Sequence, residues 1–261
     1  MPILNHIVKS PERFMTIFKI MRAVLRLLYF AFYTMLRIAQ IILLNLIKGE
    51  DMNRAMRIRR SWARHLLPAI GVRIDVQGKI PDYPCIFMGN HRSYLDPAVL
   101  IHDVIACPVS KAEVANWPIV GYGAKVTGIL FLQRESATSR KKTLAGIAGK
   151  IAEGYSIMLF PEGTTHADPQ CRDFKPGGFK LAAQEHIPIV PVALEYRSTK
   201  DYWIGDDTFL PHFLLRFAEK DMRVFVRYGE PLYSSNAEYL RDTTKAWING
   251  ELQSIQKSFA G

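Results

Sequence analysis

Hydrophobic and polar positions alternate differently in the first seventy residues than in the rest of the chain. Residues 27–47 form an almost wholly apolar run without proline or glycine, which is typical of a long helix. Arg37 is the single charged residue within it. Gly49 predicts the end of this helix, and Asp51 predicts the N-cap of a second one.

The predicted second helix has one apolar and one basic face. The apolar positions recur near helical spacing, and they are Met52, Met56, Trp62, Ala63, Leu66 and Ile70. The opposite face carries Arg54, Arg57, Arg60 and Arg64. We interpret this helix as a binder of anionic lipid headgroups. A solvated basic face on a helix that packs against the globular part is the alternative.

After Gly71 the chain changes to short apolar runs separated by helical stretches, the pattern of an α/β domain. The predicted strands are Val72–Val76, Cys85–Met88, Ala106–Val109, Ile129–Leu132, Ile157–Phe160, Ile189–Leu194 and Val224–Arg227. The clearest helices are Pro97–Ile101, Ser139–Glu153, Gly178–Glu185 and Asn236–Lys257, and residues 198–216 read as an irregular insertion. Pro188 and Pro191 predict that the sixth strand lies at an edge, contains a bulge or lines a cavity.

These patterns define two parts of the chain. Residues 1–70 form a pair of membrane-binding helices, and residues 71–261 form an α/β domain with a mixed β-sheet flanked by helices. Of the 34 Lys and Arg residues and 24 Asp and Glu residues, 12 basic and three acidic ones lie in residues 1–70, a net charge of +9. The partner of this end is therefore predicted to be an anionic membrane surface. Nucleic acid is disfavoured, because a soluble nucleic-acid-binding protein has no use for the long apolar stretch.

The apolar run is long enough to cross a bilayer, but Arg37 near its middle would cost about 2.5–3.5 kcal/mol there. Both flanks of the run are basic, so the distribution of charge gives little preference for an orientation across the membrane. We therefore favour a helix that lies shallowly in one leaflet over one that spans it. The polar residues before the run and the lack of a small-residue cleavage site argue against a signal peptide.

Three cysteines, Cys85, Cys107 and Cys171, show no CxxC spacing and no cluster with histidines. The sequence therefore predicts neither a disulfide framework nor a metal site. We expect these cysteines to be small buried residues in a reducing compartment.

The sequence NHRSYLDP begins where the second predicted strand ends, and ligands of α/β folds bind at strand ends. Asp96 precedes Pro97, which is a good combination for a helix N-cap. Asp96 can also accept a hydrogen bond from one imidazole nitrogen of His91 and leave the other nitrogen to take a proton. Both roles are compatible.

Two further motifs end predicted strands. GILFLQR brings Arg134 to the end of the fourth strand, and FPEGTT brings Glu162 and Gly163 to the end of the fifth. In isolation, Arg134 could be a solvated charge and Glu162 a turn residue beside a flexible glycine. The nearly continuous apolar strand IPIVPVAL follows.

In this order, the motifs resemble those of the glycerolipid acyltransferase family, whose best-known members are the lysophosphatidic acid acyltransferases. The family pattern is His-x₄-Asp, Gly-x-x-Phe-x-x-Arg, Phe-Pro-Glu-Gly-Thr and a Val-Pro-Val strand. The matching positions are His91 and Asp96; Gly128, Phe131 and Arg134; Phe160 to Thr164; and Val190 to Val192. Lys111 and the segment Phe174-Lys175 with Gly177 are less specific matches. The resemblance covers residues 85–194.

The resemblance implies transfer of a fatty acyl group from acyl-CoA or an acyl carrier protein to the free hydroxyl of a lysolipid. His91 would be the general base and Asp96 its orienting partner. Arg134, Glu162, Gly163, Thr164 and Lys111 would bind the acceptor. No cofactor and no metal are expected, and the enzyme is expected on the cytoplasmic face of the inner membrane.

One position departs from the family pattern. Many lysophosphatidic acid enzymes have Arg after Glu-Gly-Thr, whereas this chain has Thr165. An arginine there would help to hold a phosphate. Either Lys111 and Arg134 replace it, with 1-acyl-sn-glycerol-3-phosphate as the first-choice acceptor, or the acceptor is a lyso-ornithine lipid or another lysophospholipid. A hydrolase with the same His/Asp pair and a lipid-binding scaffold without catalysis are the alternatives outside acyl transfer.

Overall fold

The computed structural model describes residues 11–116, 120–132 and 137–260. Its helices are α1 (Pro11–Lys48), α2 (Met52–Ala69), α3 (Asp96–Asp103), α4 (Val120–Val126), α5 (Ala137–Ala152), α6 (Gly177–Gln184), α7 (Phe209–Arg216) and α8 (Ala237–Ala260). The strands are β1 (Val72–Gln77), β2 (Ile86–Gly89), β3 (Ala106–Lys111), β4 (Leu130–Leu132), β5 (Ser156–Leu159), β6 (Ile189–Tyr196) and β7 (Met222–Tyr228). Short 3₁₀ helices cover Ala112–Asn116 and Thr199–Asp201.

The seven strands form one sheet in the order β1-β7-β6-β2-β5-β3-β4. All neighbouring pairs are parallel except β6 and β7, which are antiparallel. This confirms the predicted mixed α/β architecture, and each predicted strand is present within about two residues of its predicted ends. The pattern identified these strands because buried central strands read as nearly continuous apolar runs.

Strand β6 corrects the suggestion of an edge strand. It lies between β2 and β7, and all eight of its residues are buried. Pro191 is tolerated because β6 changes partners at this point: it pairs with β2 up to Val192 and with β7 from Val192 onward. The Pro191 carbonyl accepts the N–H of Gly229, beyond the end of β7. The proline therefore lies outside the β7 ladder, where its missing N–H matters least.

Helix α1 lies along the domain, and its hydrogen bonds and ion pair to the domain come from one line of side chains, beside which Leu27, Tyr33, Ile38 and Leu44 also pack. The members of this contact stripe are three or four residues apart, as on one face of a helix: Lys19, Arg22, Arg26, Phe30, Thr34, Arg37, Ile41 and Asn45. Most of the large apolar side chains outside the stripe are exposed, among them Ile20, Leu28 and Phe32. The helix is long and apolar enough to cross a membrane by length and composition.

Several basic residues of α1 and α2 bind the protein itself. The guanidinium of Arg26 donates to the carbonyls of Phe217 at 3.0 Å, Glu219 at 2.6 Å and Lys220 at 2.8 Å, just beyond the end of α7. Arg59 is buried and donates to the carbonyls of Thr127 and Ala106, and burial lowers its pKa to about 10. The +9 charge of this region is therefore not all available to an external partner.

Residues 198–216 are more regular than predicted, since they contain the two-turn helix α7. A largely buried ion pair between Arg216 and Asp201, at 2.6 Å, joins the two ends of this segment. Phe213 and Phe217 stack at 4.2 Å and belong to the same core as α2 and the strands. The sequence did not indicate this helix, because it is only eight residues long and contains Pro211, so its apolar residues show no clear helical periodicity.

Candidate active site

The site lies where β2 and β5 end. Residues 90–95 follow β2 and form a loop that we call the His91 loop, while residues 160–166 follow β5. Because β2 and β5 are parallel neighbours, the two segments leave the sheet at the same edge. Asn90 fixes the start of the loop, since its side-chain amide exchanges two hydrogen bonds of 2.8 Å with the main chain of Leu194.

The imidazole of His91 contacts Asp96 as the spacing predicts, with 2.8 Å between Nδ1 and Oδ2. A carboxylate only accepts, so Nδ1 carries the proton and Nε2 is left as the acceptor. The prediction that Asp96 is the N-cap of α3 was wrong: Asp96 is the first residue of the helix, and Leu95 occupies the cap without a side-chain bond. The Asp96 carboxylate turns back to the loop instead, where its Oδ2 accepts the N–H groups of Arg92 at 2.6 Å and Ser93 at 2.9 Å.

Tyr196, the last residue of β6, completes the environment of Asp96. Its hydroxyl donates to Oδ1 at 2.6 Å, so the buried carboxylate accepts four hydrogen bonds in all. Burial, followed by the negative charge of Asp96, raises the pKa of Tyr196 well above its ordinary value, which keeps the phenol a donor. Phe160 stacks on the His91 ring with 4.4 Å between ring centroids. The imidazole is therefore fixed at one nitrogen and on one face.

Glu162 is bound from three sides. Its Oε1 accepts the main-chain N–H of His91 at 3.0 Å, and its Oε2 accepts the N–H of Arg172 at 2.9 Å and a hydrogen bond from His166 Nε2. The Nδ1 of His166 accepts the N–H of Asp168 at 3.1 Å, which assigns the imidazole proton to Nε2. Both Glu162 and His166 are buried. The geometry makes Glu162 a group that positions the His91 loop.

The buried guanidinium of Arg92 connects the Glu162–His166 pair to the core. Arg92 is fully buried and donates to the carbonyls of His166 at 3.3 Å and Asp168 at 2.6 Å. Its charge faces Glu195, with 3.7 Å between Nη2 and Oε2, and its guanidinium lies over the Tyr202 ring. Burial, followed by the charge of Glu195, raises the pKa of Tyr202. A paired charge can remain in the interior because these contacts replace its hydration.

His91 opens into a cavity of about 1230 Å³. Its walls are mostly apolar side chains of α1, α2, α3 and α7, including Phe30, Leu66 and Phe213. Three lysines also line it: Lys111, Lys175 and Lys180. A largely apolar cavity with a few polar groups is the usual form of a site for an amphiphilic ligand.

The structure brings four of the seven predicted site residues to the cavity wall: His91, Lys111, Gly163 and Thr164. Asp96 lies behind His91, and Glu162 binds the main chain as described above. Arg134 lies outside the described residues. The side chain of Lys175 crosses Gly163, so closely that a Cβ on this glycine, whose φ is 75°, would come within 2.8 Å of Nζ. The glycine therefore makes room for a lysine at the cavity wall.

Sequence reasoning missed Tyr196, His166 and Arg92 as members of the site. Tyr196 lies 100 residues from Asp96, and no local pattern connects them. His166 had a local signal, because it stands four residues after Glu162, but a lone histidine in a turn carries little information. Arg92 adjoins His91 in the motif, and its complete burial follows only from tertiary contacts.

All three cysteines are free and buried, as predicted. Burial raises the pKa of Cys85 to about 11 and that of Cys171 to about 12, so both are thiols at neutral pH. Within residues 11–116, 120–132 and 137–260 there is no group of three or more His, Cys, Asp or Glu side chains arranged to hold a metal ion.

Comparison with known proteins gives one consistent result. Residues 72–195 match a family model described as Acyltransferase. A lyso-ornithine lipid O-acyltransferase of Pseudomonas aeruginosa is 30% identical over 198 residues, which are 73% of this chain and 76% of that protein. A chloroplastic 1-acyl-sn-glycerol-3-phosphate acyltransferase of Brassica napus is 30% identical over 178 residues, 66% of this chain and 49% of that one.

Among solved structures, the 1-acyl-sn-glycerophosphate acyltransferase PlsC of Thermotoga maritima is similar, with a TM-score of 0.70. The alignment covers 91% of this chain and 98% of PlsC at 19% identity, so it supports the fold alone. The shared fold includes the region of the N-terminal helices.

Proposed function

The chain belongs to the acyltransferase family, and on that premise we propose that it transfers a fatty acyl group from a thioester to the free hydroxyl of a lysolipid. The observation that carries the proposal is the His91–Asp96 pair at the wall of a large apolar cavity. The pair supplies a base, and the cavity suits the acyl chain of an amphiphilic substrate.

In the proposed mechanism, Nε2 of His91 takes the proton of the acceptor hydroxyl as its oxygen attacks the thioester carbonyl. Asp96 holds the ring through Nδ1 and stabilises the imidazolium. Collapse of the tetrahedral intermediate breaks the C–S bond, and the imidazolium returns its proton to the departing thiolate. No acyl-enzyme is needed, because the thioester is already activated. We propose acyl-CoA or an acyl carrier protein as the donor, with no resident cofactor.

For the acceptor we propose a headgroup site beside Gly163 and Thr164, with Lys111 and Arg134 as its cations. Lys175 is a further cation at this wall, since its side chain crosses Gly163. These lysines support 1-acyl-sn-glycerol-3-phosphate as the first-choice acceptor. Thr165 and the lyso-ornithine lipid acyltransferase relatives favour a lyso-ornithine lipid as the second candidate.

We propose that α1 lies in the plane of an anionic membrane. Its contact stripe runs from Lys19 to Asn45, a distance of roughly 39 Å along the helix at about 1.5 Å per residue. That length exceeds the roughly 30 Å hydrocarbon core, so a spanning α1 would carry the domain into the bilayer. An in-plane α1 instead places its exposed apolar face in one leaflet. Because thioester donors are cytosolic, we propose the cytoplasmic face.

The test is an assay of the purified full chain with a labelled acyl donor and a panel of lysolipids, with products separated by headgroup. Transfer to one or more lysolipids supports the proposal. Release of free fatty acid at the same rate with and without a lysolipid would identify a hydrolase instead. Parallel reactions with acyl-CoA and acyl carrier protein identify the donor.

A further inference from the structure

Helix α7 and α1 pack side by side on the same side of the domain. The order of their contacts shows that they run antiparallel: Lys19 pairs with Glu219 at 2.9 Å, and Phe30 contacts Phe213 and Phe209 with ring centroids 5.7 and 6.1 Å apart. Arg26 binds the carbonyls that follow α7. The position of α7 is therefore tied to that of α1 along its whole length.

The outward face of α7 is apolar and uncovered. Leu210 is 50% exposed and Leu215 is 68% exposed, and Pro211 between them is also exposed. Its inward face carries the buried residues His212 and Phe213. Because α7 packs beside α1, two neighbouring helices both carry exposed apolar side chains: Leu210 and Leu215 on α7, and residues such as Leu28 and Phe32 on α1.

The inward face of α7 forms part of the cavity wall. Phe209 and Phe213 line the cavity, together with Trp203 from the segment before the helix. Trp203 is also joined to the His91 loop, because its main-chain N–H donates to the carbonyl of Arg92 at 2.9 Å. Helix α7 therefore forms part of the cavity wall. The cavity lies on its inward side, and the exposed leucines lie on its outward side.

From these contacts we propose that α7 is a second membrane-contacting element, with Leu210 and Leu215 in the leaflet that receives α1. The proposal rests on the in-plane placement of α1 proposed above. The occupant is a lipid surface, because α7 packs directly against the helix whose exposed apolar side chains we place in the leaflet. If α7 contacts the membrane, the acyl chains of the bilayer lie against the outer side of the cavity wall. The acyl chain of the substrate lies on the inner side of the same wall.

The test uses single cysteines that carry an environment-sensitive fluorophore. The three native cysteines are buried, so a label goes to the introduced one. Leu215→Cys reports on α7, Leu28→Cys on the outer face of α1, and Tyr239→Cys on α8, where Tyr239 is 54% exposed. The labelled full-length proteins are bound to vesicles of phosphatidylcholine and phosphatidylglycerol, and quenching by brominated acyl chains is compared with quenching by aqueous iodide.

We expect lipid quenching and protection from iodide at positions 215 and 28, and the reverse at 239. Lipid quenching at 28 with iodide quenching at 215 would overturn the role of α7 while the placement of α1 stands. Iodide quenching at both positions would overturn both proposals. Protection at 215 before vesicles are added would indicate self-association and also overturn the role of α7.

A second measurement uses activity. Leu210→Ser with Leu215→Ser removes exposed apolar area without opening the core, and we expect kcat/KM for a vesicle-bound lysolipid to fall about tenfold. Activity on the same lysolipid in detergent micelles should stay within about twofold of the parent, and Tyr239→Ser should change neither. An equal loss in vesicles and micelles would show that the two leucines act on the fold, and would overturn the proposal.

Discussion

The His91 loop and helix α1 are attached to the same domain by opposite means. In the loop, two buried carboxylates accept main-chain N–H groups of three consecutive residues, His91 to Ser93. In α1, the contacts are distributed along a stripe of eight side chains and its apolar neighbours over more than seven turns, and much of the remaining apolar surface is exposed. The loop concentrates its contacts on a few atoms, and the helix distributes them. A single substitution should therefore affect the loop far more.

The largest effect is expected at His91 itself. His91→Ala should lower the transfer rate by about 10²–10⁴, because it removes the base. The variant should remain folded and membrane-bound, since the loop is held mainly through its main chain. A rate within a few fold of the parent would exclude His91 as the base.

His166 tests whether Glu162 positions the loop. Asn in place of His166 is too short to reach Glu162, whereas Gln can place an N–H near the former Nε2. Hydrogen bonds to charged groups contribute roughly 1.5–3 kcal/mol, so His166→Asn should lower kcat about 10–100-fold and leave the KM for donor and acceptor nearly unchanged. His166→Gln should recover most of that loss. Equal losses in the two variants would reject a specific bond to Glu162.

Thr165 tests selectivity without touching the base. Thr165→Arg adds a guanidinium that can bind a phosphate with two charge-assisted hydrogen bonds. We expect the ratio of kcat/KM for lysophosphatidic acid to that for a lyso-ornithine lipid to rise about tenfold or more. If the parent already prefers lysophosphatidic acid by several hundredfold and the variant changes nothing, Thr165 has no bearing on the acceptor.

Within α1 the effects should be smaller and appear in stability. Arg26→Ala removes three hydrogen bonds to carbonyls. For a chain of this size about 1 kcal/mol shifts Tm by roughly 2–4 °C, so a decrease of roughly 3–8 °C in detergent is expected. The control is Arg57→Ala, because the Arg57 side chain is exposed and makes no hydrogen bond within the described parts of the chain. Equal shifts in the two variants would contradict a structural role for the stripe.

The same contrast explains what the sequence could predict. Strands such as Ile86–Gly89 are recognisable because burial on both faces leaves a local apolar signature. The His91–Asp96 contact is local as well, since five residues and one turn bring the groups together. Those features depend on neighbours in the chain.

Features that depend on distant partners were missed or misread. The net charge of residues 1–70 was assigned as a whole to an anionic partner, but Arg26 binds carbonyls more than 190 residues away and Arg59 is buried in the core. The central position of β6 follows from a change of strand partner that Pro191 alone does not indicate. The role of Arg134 stays a prediction.

The distance in sequence between α1 and its partners also affects how the protein forms. Lys19, Arg22 and Arg26 bind residues 217–220, which leave the ribosome roughly 10–40 s later at about 5–20 residues per second. During that interval α1 has no partner for this half of its stripe, and both of its faces are uncovered. A nearby bilayer can accept the helix before the domain is complete, so the protein would fold onto a helix that the membrane already holds.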